Sequence, residues 1–206
     1  MRRLLVLCGI ALMSITACSP QTTGTASPVN TSSSPGRPNT AQQVPGPGVP
    51  KVETPIDTER FRSAPCSTLT EDQAAEVFGG ASTAKPDAQA PAGPTCTWAP
   101  VDLTGATVNL IFSTVDQLGL TSVYQAKDST YKLFQPLESI GDYPVVAYGT
   151  SDQRTDGICS IAIGTSDHST VDITVTQSRG NIGKVDPCAA ARTVGSKVLA
   201  TLREGS

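Results

Sequence analysis

The sequence predicts an α+β domain, an antiparallel β-sheet with helices packed on one face and two disulfides. Three observations point there. Short apolar alternations of period two recur between residues 96 and 177, capped helical patterns stand at both ends of that region, and an even set of four cysteines runs through it.

The elements follow in chain order. Thr70-Glu71-Asp72-Gln73 has the form of a capping box and Gly79-Gly80 stops what it starts, so a helix is expected over 71–78. Residues 81–94 are small residues and prolines and read as a loop. Cys96-Thr97-Trp98 alternates as a strand with Cys96 and Trp98 on one face. Trp98, the single tryptophan, reads as a core side chain over a disulfide, and its functional alternative is a stacking platform for sugar or lipid. Val108, Leu110 and Phe112 mark a second strand. Leu120, Val123, Tyr124 and Lys127 at helical spacing predict a helix over 116–127, although Gly119 weakens it. Strands are expected over 143–148, 158–163 and 170–177, the last two joined by a hairpin connection at 165–169. Asp186 with Pro187 at the first helical position opens a final helix from Cys188 through Ala191, Val194, Val198 and Leu202.

Ahead of this domain the composition changes twice. Met1-Arg2-Arg3, an apolar run and Ile15-Thr16-Ala17-Cys18 have the layout of a bacterial lipoprotein signal. The run is shorter than the roughly 20 residues a membrane span needs. Residues 1–17 are therefore expected to be cleaved, and Cys18 to become a lipidated first residue held at the cell membrane on its extracytoplasmic face. Residues 18–59 read as a Pro/Ser/Thr-rich disordered tether, with eight prolines and no aromatic residue between Ser19 and Pro55. Residues 60–206 form the domain. From Phe61 onward 10 basic and 15 acidic residues give a net charge of −5, with no basic cluster, which argues against nucleic acid as a partner.

Cys66, Cys96, Cys159 and Cys188 are separated by 30, 63 and 29 residues, so the close ligand pairs of a zinc site are missing and no metal or other cofactor is expected. In an exported chain oxidation persists and disulfides are the default. Pro65-Cys66-Ser67-Thr68-Leu69-Thr70, Cys96-Thr97-Trp98, Gly141-Asp142, Cys159 and Asp186-Pro187-Cys188-Ala189 occur in an order that resembles an actinobacterial envelope lipoprotein family with a domain of unknown function, of the mycobacterial LprB/LprC-like type. The resemblance spans about residues 60–203 plus the lipidated start. It implies an α+β domain with two disulfides, no established activity and no catalytic residue to carry over. Four cysteines allow three connectivities, and the one joining nearest neighbours, Cys66 to Cys96 and Cys159 to Cys188, is expected.

A search for chemistry in the residues themselves finds no catalytic set. The one histidine, His168, stands in Asp167-His168-Ser169, a predicted turn, where sequence neighbours rarely build a triad. Ser82 to Lys85 and Ser129 to Lys132 match Ser-x-x-Lys, but the partner motifs of penicillin-recognising enzymes are missing. Asp152 and Asp156 with Gly157 fall short of a calcium loop and read as a turn. The expected function is a non-enzymatic interaction or adaptor module of the cell envelope, with the membrane reached through the N-terminal lipid and another envelope protein, lipid or glycan as partner. Two alternatives stand beside it. One is a carrier or sensor of an apolar or glycan ligand, with Trp98, Phe112, Tyr124 and Phe134 as candidate lining, and the other is a hydrolase.

Overall fold

A computed structural model describes residues 42–102 and 104–205. The signal over 1–17, Cys18 and the tether up to residue 41 lie outside the described residues. Seven strands form one sheet in the order β1-β2-β3-β7-β6-β5-β4, and every neighbouring pair is antiparallel. They span Ser82–Asp87 (β1), Thr95–Pro100 (β2), Thr107–Phe112 (β3), Leu133–Ile140 (β4), Tyr143–Gly149 (β5), Ile158–Ser166 (β6) and Ser169–Thr176 (β7). The helices are Glu59–Ser63 (α1), Glu71–Phe78 (α2), Leu120–Gln125 (α3) and Pro187–Glu204 (α4). The chain is thus an antiparallel α+β domain, with disulfides Cys66–Cys96 and Cys159–Cys188. No helix among the described residues is long and apolar enough to cross a membrane.

Period two decides what each face of the sheet carries. One face presents Cys96, Trp98, Val108, Leu110, Phe112, Cys159, Ile161, Ile163, Val171, Ile173 and Val175, all buried. Helix α4 closes it with Ala191, Val194, Val198 and Leu202, residues three or four apart that line one stripe of the helix. Gly195 sits on that stripe because a Cβ there would lie 2.8 Å from Ile163 Cδ1 and 3.0 Å from Ile140 Cδ1, so its absence lets the helix come close to the sheet. The Asp186 carboxylate accepts from the Cys188 and Ala189 amides at 2.7 and 3.0 Å, and Pro187 stands at the first helical position as the sequence predicts. The capping box of α2 is complete: Gln73 N–H donates to Thr70 Oγ1 at 3.2 Å and Thr70 N–H to Gln73 Oε1 at 2.9 Å.

The opposite face is thinner. Helix α3 covers part of it, packing Leu120 and Val123 on Val146 and Ala162, so the helices do not all share one face. This helix is shorter than the expected 116–127. Gly119 has φ +54° and packs its Cα against the Asp167 backbone, while Asp116 Oδ1 accepts from Leu118 N–H in a turn of its own. Regular helix begins only beyond that turn.

Four further differences follow, the first two because backbone pairing needs no side-chain pattern. Strand β1 occupies part of the expected 81–94 loop, and β4 was not expected as a strand; both are edge strands, and each contains a proline. Helix α1 and a 3₁₀ turn at Pro65–Thr68 precede α2. The expected tether also ends early, because residues 42–58 run along the domain as a strap. Val52 and Ile56 are buried, Val52 N–H donates to Asp167 Oδ1 at 2.9 Å, and Ile56 N–H donates to Thr165 O at 2.9 Å. Two apolar side chains and three long-range bonds, the third from Gly46 N–H to Thr121 Oγ1 at 3.0 Å, offset the ordering entropy that composition alone suggests is not recovered.

Candidate functional site

The four residues expected to line one ligand site lie on two faces of the sheet. Trp98 and Phe112 are core side chains on the α4 face, 2 % and 0 % exposed, with no room for a ligand beside them. Tyr124 and Phe134 meet edge-on at 5.0 Å on the α3 face. Strand alternation separates them: inward positions of β2 and β3 carry the first two, while an outward position of β4 carries Phe134. The ligand-lining set is therefore corrected. His168 sits at the β6–β7 turn, with its Nδ1 3.0 Å from the Gln117 carbonyl oxygen.

An open groove lies instead at the far end of β7. Its volume is about 290 Å³, and its walls are the last turn of α2, the middle of α4, the paired ends of β3 and β7, and the loop leading to Asp186. Val108, Val175 and Val194 form an apolar base, with Val77 and Phe78 at the side. Polar contacts fix the walls. Lys197 forms an ion pair with Glu76, Gln73 Nε2 donates to Lys197 O at 3.3 Å, and Thr201 Oγ1 donates to Gln73 Oε1 at 3.1 Å, so α2 and α4 are held together along the groove. Gln177 Nε2 donates to Val185 O at 3.0 Å and holds the loop. At the mouth, Val185 is 52 % exposed, a large apolar side chain that the fold itself does not bury.

A broader depression of about 370 Å³ beside the start of α4 is charged in character. Its Arg154 is already engaged: Nε and Nη2 donate to the two Asp152 carboxylate oxygens at 2.8 and 2.6 Å, and Nη1 donates to Gln135 Oε1 at 3.0 Å. Those bonds hold the Asp152 carboxyl down to about 2, and the pair forms the turn expected around Asp152 and Asp156.

On the α3 face Tyr131 and Tyr148 meet edge-on at 5.1 Å above Asp172. Burial pushes the Asp172 carboxyl up to about 6, and the nearby Asp116 charge adds to it. The Thr170 and Tyr148 hydroxyls act the other way. Burial, joined by the Asp172 charge, pushes the Tyr148 phenol far above its ordinary range. Neither the groove nor this carboxylate was legible in the sequence. The groove is assembled from four elements distant in the chain, and Asp172 alternates with Val171 and Ile173 as an ordinary outward-facing residue does.

A family model described as "Protein of unknown function (DUF3558)" matches residues 13–201. The chain belongs to the DUF3558 family. The match takes in the whole sheet, the groove and Asp172, and it extends upstream to include Ile15-Thr16-Ala17-Cys18. Comparison with curated proteins and with solved structures gives no match.

Proposed function

We propose that this DUF3558 protein is a membrane-anchored extracytoplasmic lipoprotein of the actinobacterial LprB/LprC-like type. Its domain serves as a non-enzymatic interaction module, taking an apolar side chain of another envelope protein into the groove between α2 and α4. The observation that carries this reading is the groove's size and openness. At about 290 Å³ it stands at the bottom of the roughly 300–1,000 Å³ range of sites that enclose a small molecule, and the exposed Val185 extends its apolar surface outward. Such a shape suits the anchor residue of a protein partner better than a whole lipid. The groove holds no histidine: the chain's one imidazole lies beyond the other end of β7, about 23 Å away by strand rise. For the anchor, the family match includes the Ile15-Thr16-Ala17-Cys18 signature, which supports a shared lipidation site at Cys18.

A photo-crosslinking residue at Val185, with one at the exposed Lys127 after α3 on the opposite face of the sheet as control, tests the reading in cells. A discrete protein adduct from Val185 alone is expected. A small-molecule adduct would favour the carrier reading, and no adduct at normal abundance would overturn both. Cys18→Ala should abolish fatty-acid labelling and detergent partitioning, and label persisting on the variant would remove the anchor.

A further inference from the structure

We infer that Asp172 makes the cover over the outer face of the sheet, formed by the segment around α3 and the start of the strap at 42–49, a pH-dependent latch that is closed in acid and loosened at neutral pH. The argument begins with position. Asp172 stands in the middle of β7, in register with Ile111 on one neighbouring strand and Ala162 on the other, so no charge reaches it from either side along the sheet. Its Oδ1 is shut off from solvent and has no hydrogen-bond partner among the described residues. A carboxylate in that condition opposes the packing that buries it.

The burial comes from above. Helix α3 packs Leu120 and Val123 on Ala162, the residue in register with Asp172, and Asp116 before the helix and Tyr131 after it both interact with the carboxylate. Tyr148 of β5 adds to the cover, its ring against Tyr131 and its hydroxyl toward Asp172, so that Oδ1 is shut off while the residue as a whole stays partly exposed. Among the described residues, the titratable groups that face it are one carboxylate and two phenols, and no cation stands with them. His168 is turned to the Gln117 carbonyl. The cover is also lightly built. Helix α3 has six residues, and its closing contacts include the single bond from Gly46 N–H of the strap to Thr121 Oγ1 and the packing of Leu120 and Val52 around Gly164.

The sign follows from linkage. With the cover closed the Asp172 carboxyl titrates at about 6, and with the cover lifted it returns toward its ordinary 3.8. Closure is therefore unopposed below the lower value, weakens as pH rises between them, and is fully opposed above the higher one. The separation corresponds to an opening equilibrium that grows up to about a hundredfold across that window. What opening uncovers is the apolar ground beneath α3, Val146 and Ala162 with the Tyr148 and Phe134 rings beside them.

Hydrogen exchange of the full chain, corrected for the intrinsic pH dependence of exchange, tests the inference between pH 4 and 7.5. Peptides covering 116–131 and 42–49 should open up to about a hundredfold more at the higher pH, with a midpoint near 6, and should exchange ahead of α4 at every pH, since α4 opens only when the whole domain unfolds. Asp172→Asn should flatten the profile, and Tyr148→Phe, which removes a hydroxyl favouring the charged form, should steepen it. Equal pH dependence in wild type and Asp172→Asn, or opening of those segments only together with α4, would overturn the latch. If Asp172→Asn does not fold, the wild-type midpoint and the opening of those two segments ahead of α4 decide the matter.

Discussion

The two faces of one sheet are built from alternate residues of the same strands, yet they are stabilised in different ways. The α4 face buries a continuous layer from Trp98 and Phe112 to Ile161 and Ile173 under an 18-residue helix, and two disulfides tie it to the chain on either side. The α3 face buries a cluster of four residues, two of them on a six-residue helix and two on the sheet beneath it, with tyrosines, hydroxyls and a carboxylate in place of further aliphatic groups. Stability is thus concentrated on one side. The other is left free to respond to its surroundings, since a sparsely packed layer opens at low free-energy cost.

The largest expected effect breaks the comparison on its strong side. Phe112→Ala removes a fully buried ring from the α4 face and should cost about 3 to 5 kcal/mol, whereas Tyr124→Ala on the α3 face should cost about 1 kcal/mol. Urea titration of both variants checks this, and equal costs would erase the distinction. Next come the disulfides. Each closes a loop of about 30 residues, and Cys159→Ser/Cys188→Ser should lose about 3 to 4 kcal/mol in the same titration.

A smaller effect sharpens the weak side. Because the folded state holds the Asp172 carboxyl above its ordinary value, its ionisation destabilises the fold, by an amount absent below about pH 4 and complete above about pH 6. Asp172→Asn should therefore stabilise the protein by about 1 to 3 kcal/mol at pH 7.5 and by nothing at pH 3.5. Thermal melts at the two values check it. The smallest effect is that of Glu76→Gln, which loses an ion pair at an exposed carboxylate and should change stability by less than about 1 kcal/mol.

What the sequence made legible follows the same division. The α4 face was readable because its signals are local: period-two apolar runs, the Asp186-Pro187 cap, the Thr70–Gln73 box and the cysteines beside them. The α3 face was not. Its helix is cut short by a glycine whose backbone packing involves a residue 48 positions away, and the strap reads as a tether because Val52 and Ile56 are isolated apolar residues among prolines. Trp98 was correctly favoured as core, yet the lining set joined aromatic residues by type, and alternation assigns its members to different layers. The groove depends on where α2 and α4 meet the end of β7, a tertiary fact with no local pattern.

The central claim is that the domain works by binding at this groove and not by catalysis. A deletion strain complemented at matched abundance with Val185→Asp or with His168→Ala tests it most directly. Val185 is exposed, so the new charge should leave the fold intact while repelling an apolar anchor from the mouth. The account predicts that His168→Ala restores the wild-type phenotype and Val185→Asp does not. Full complementation by Val185→Asp together with failure of a well-folded His168→Ala protein would contradict it.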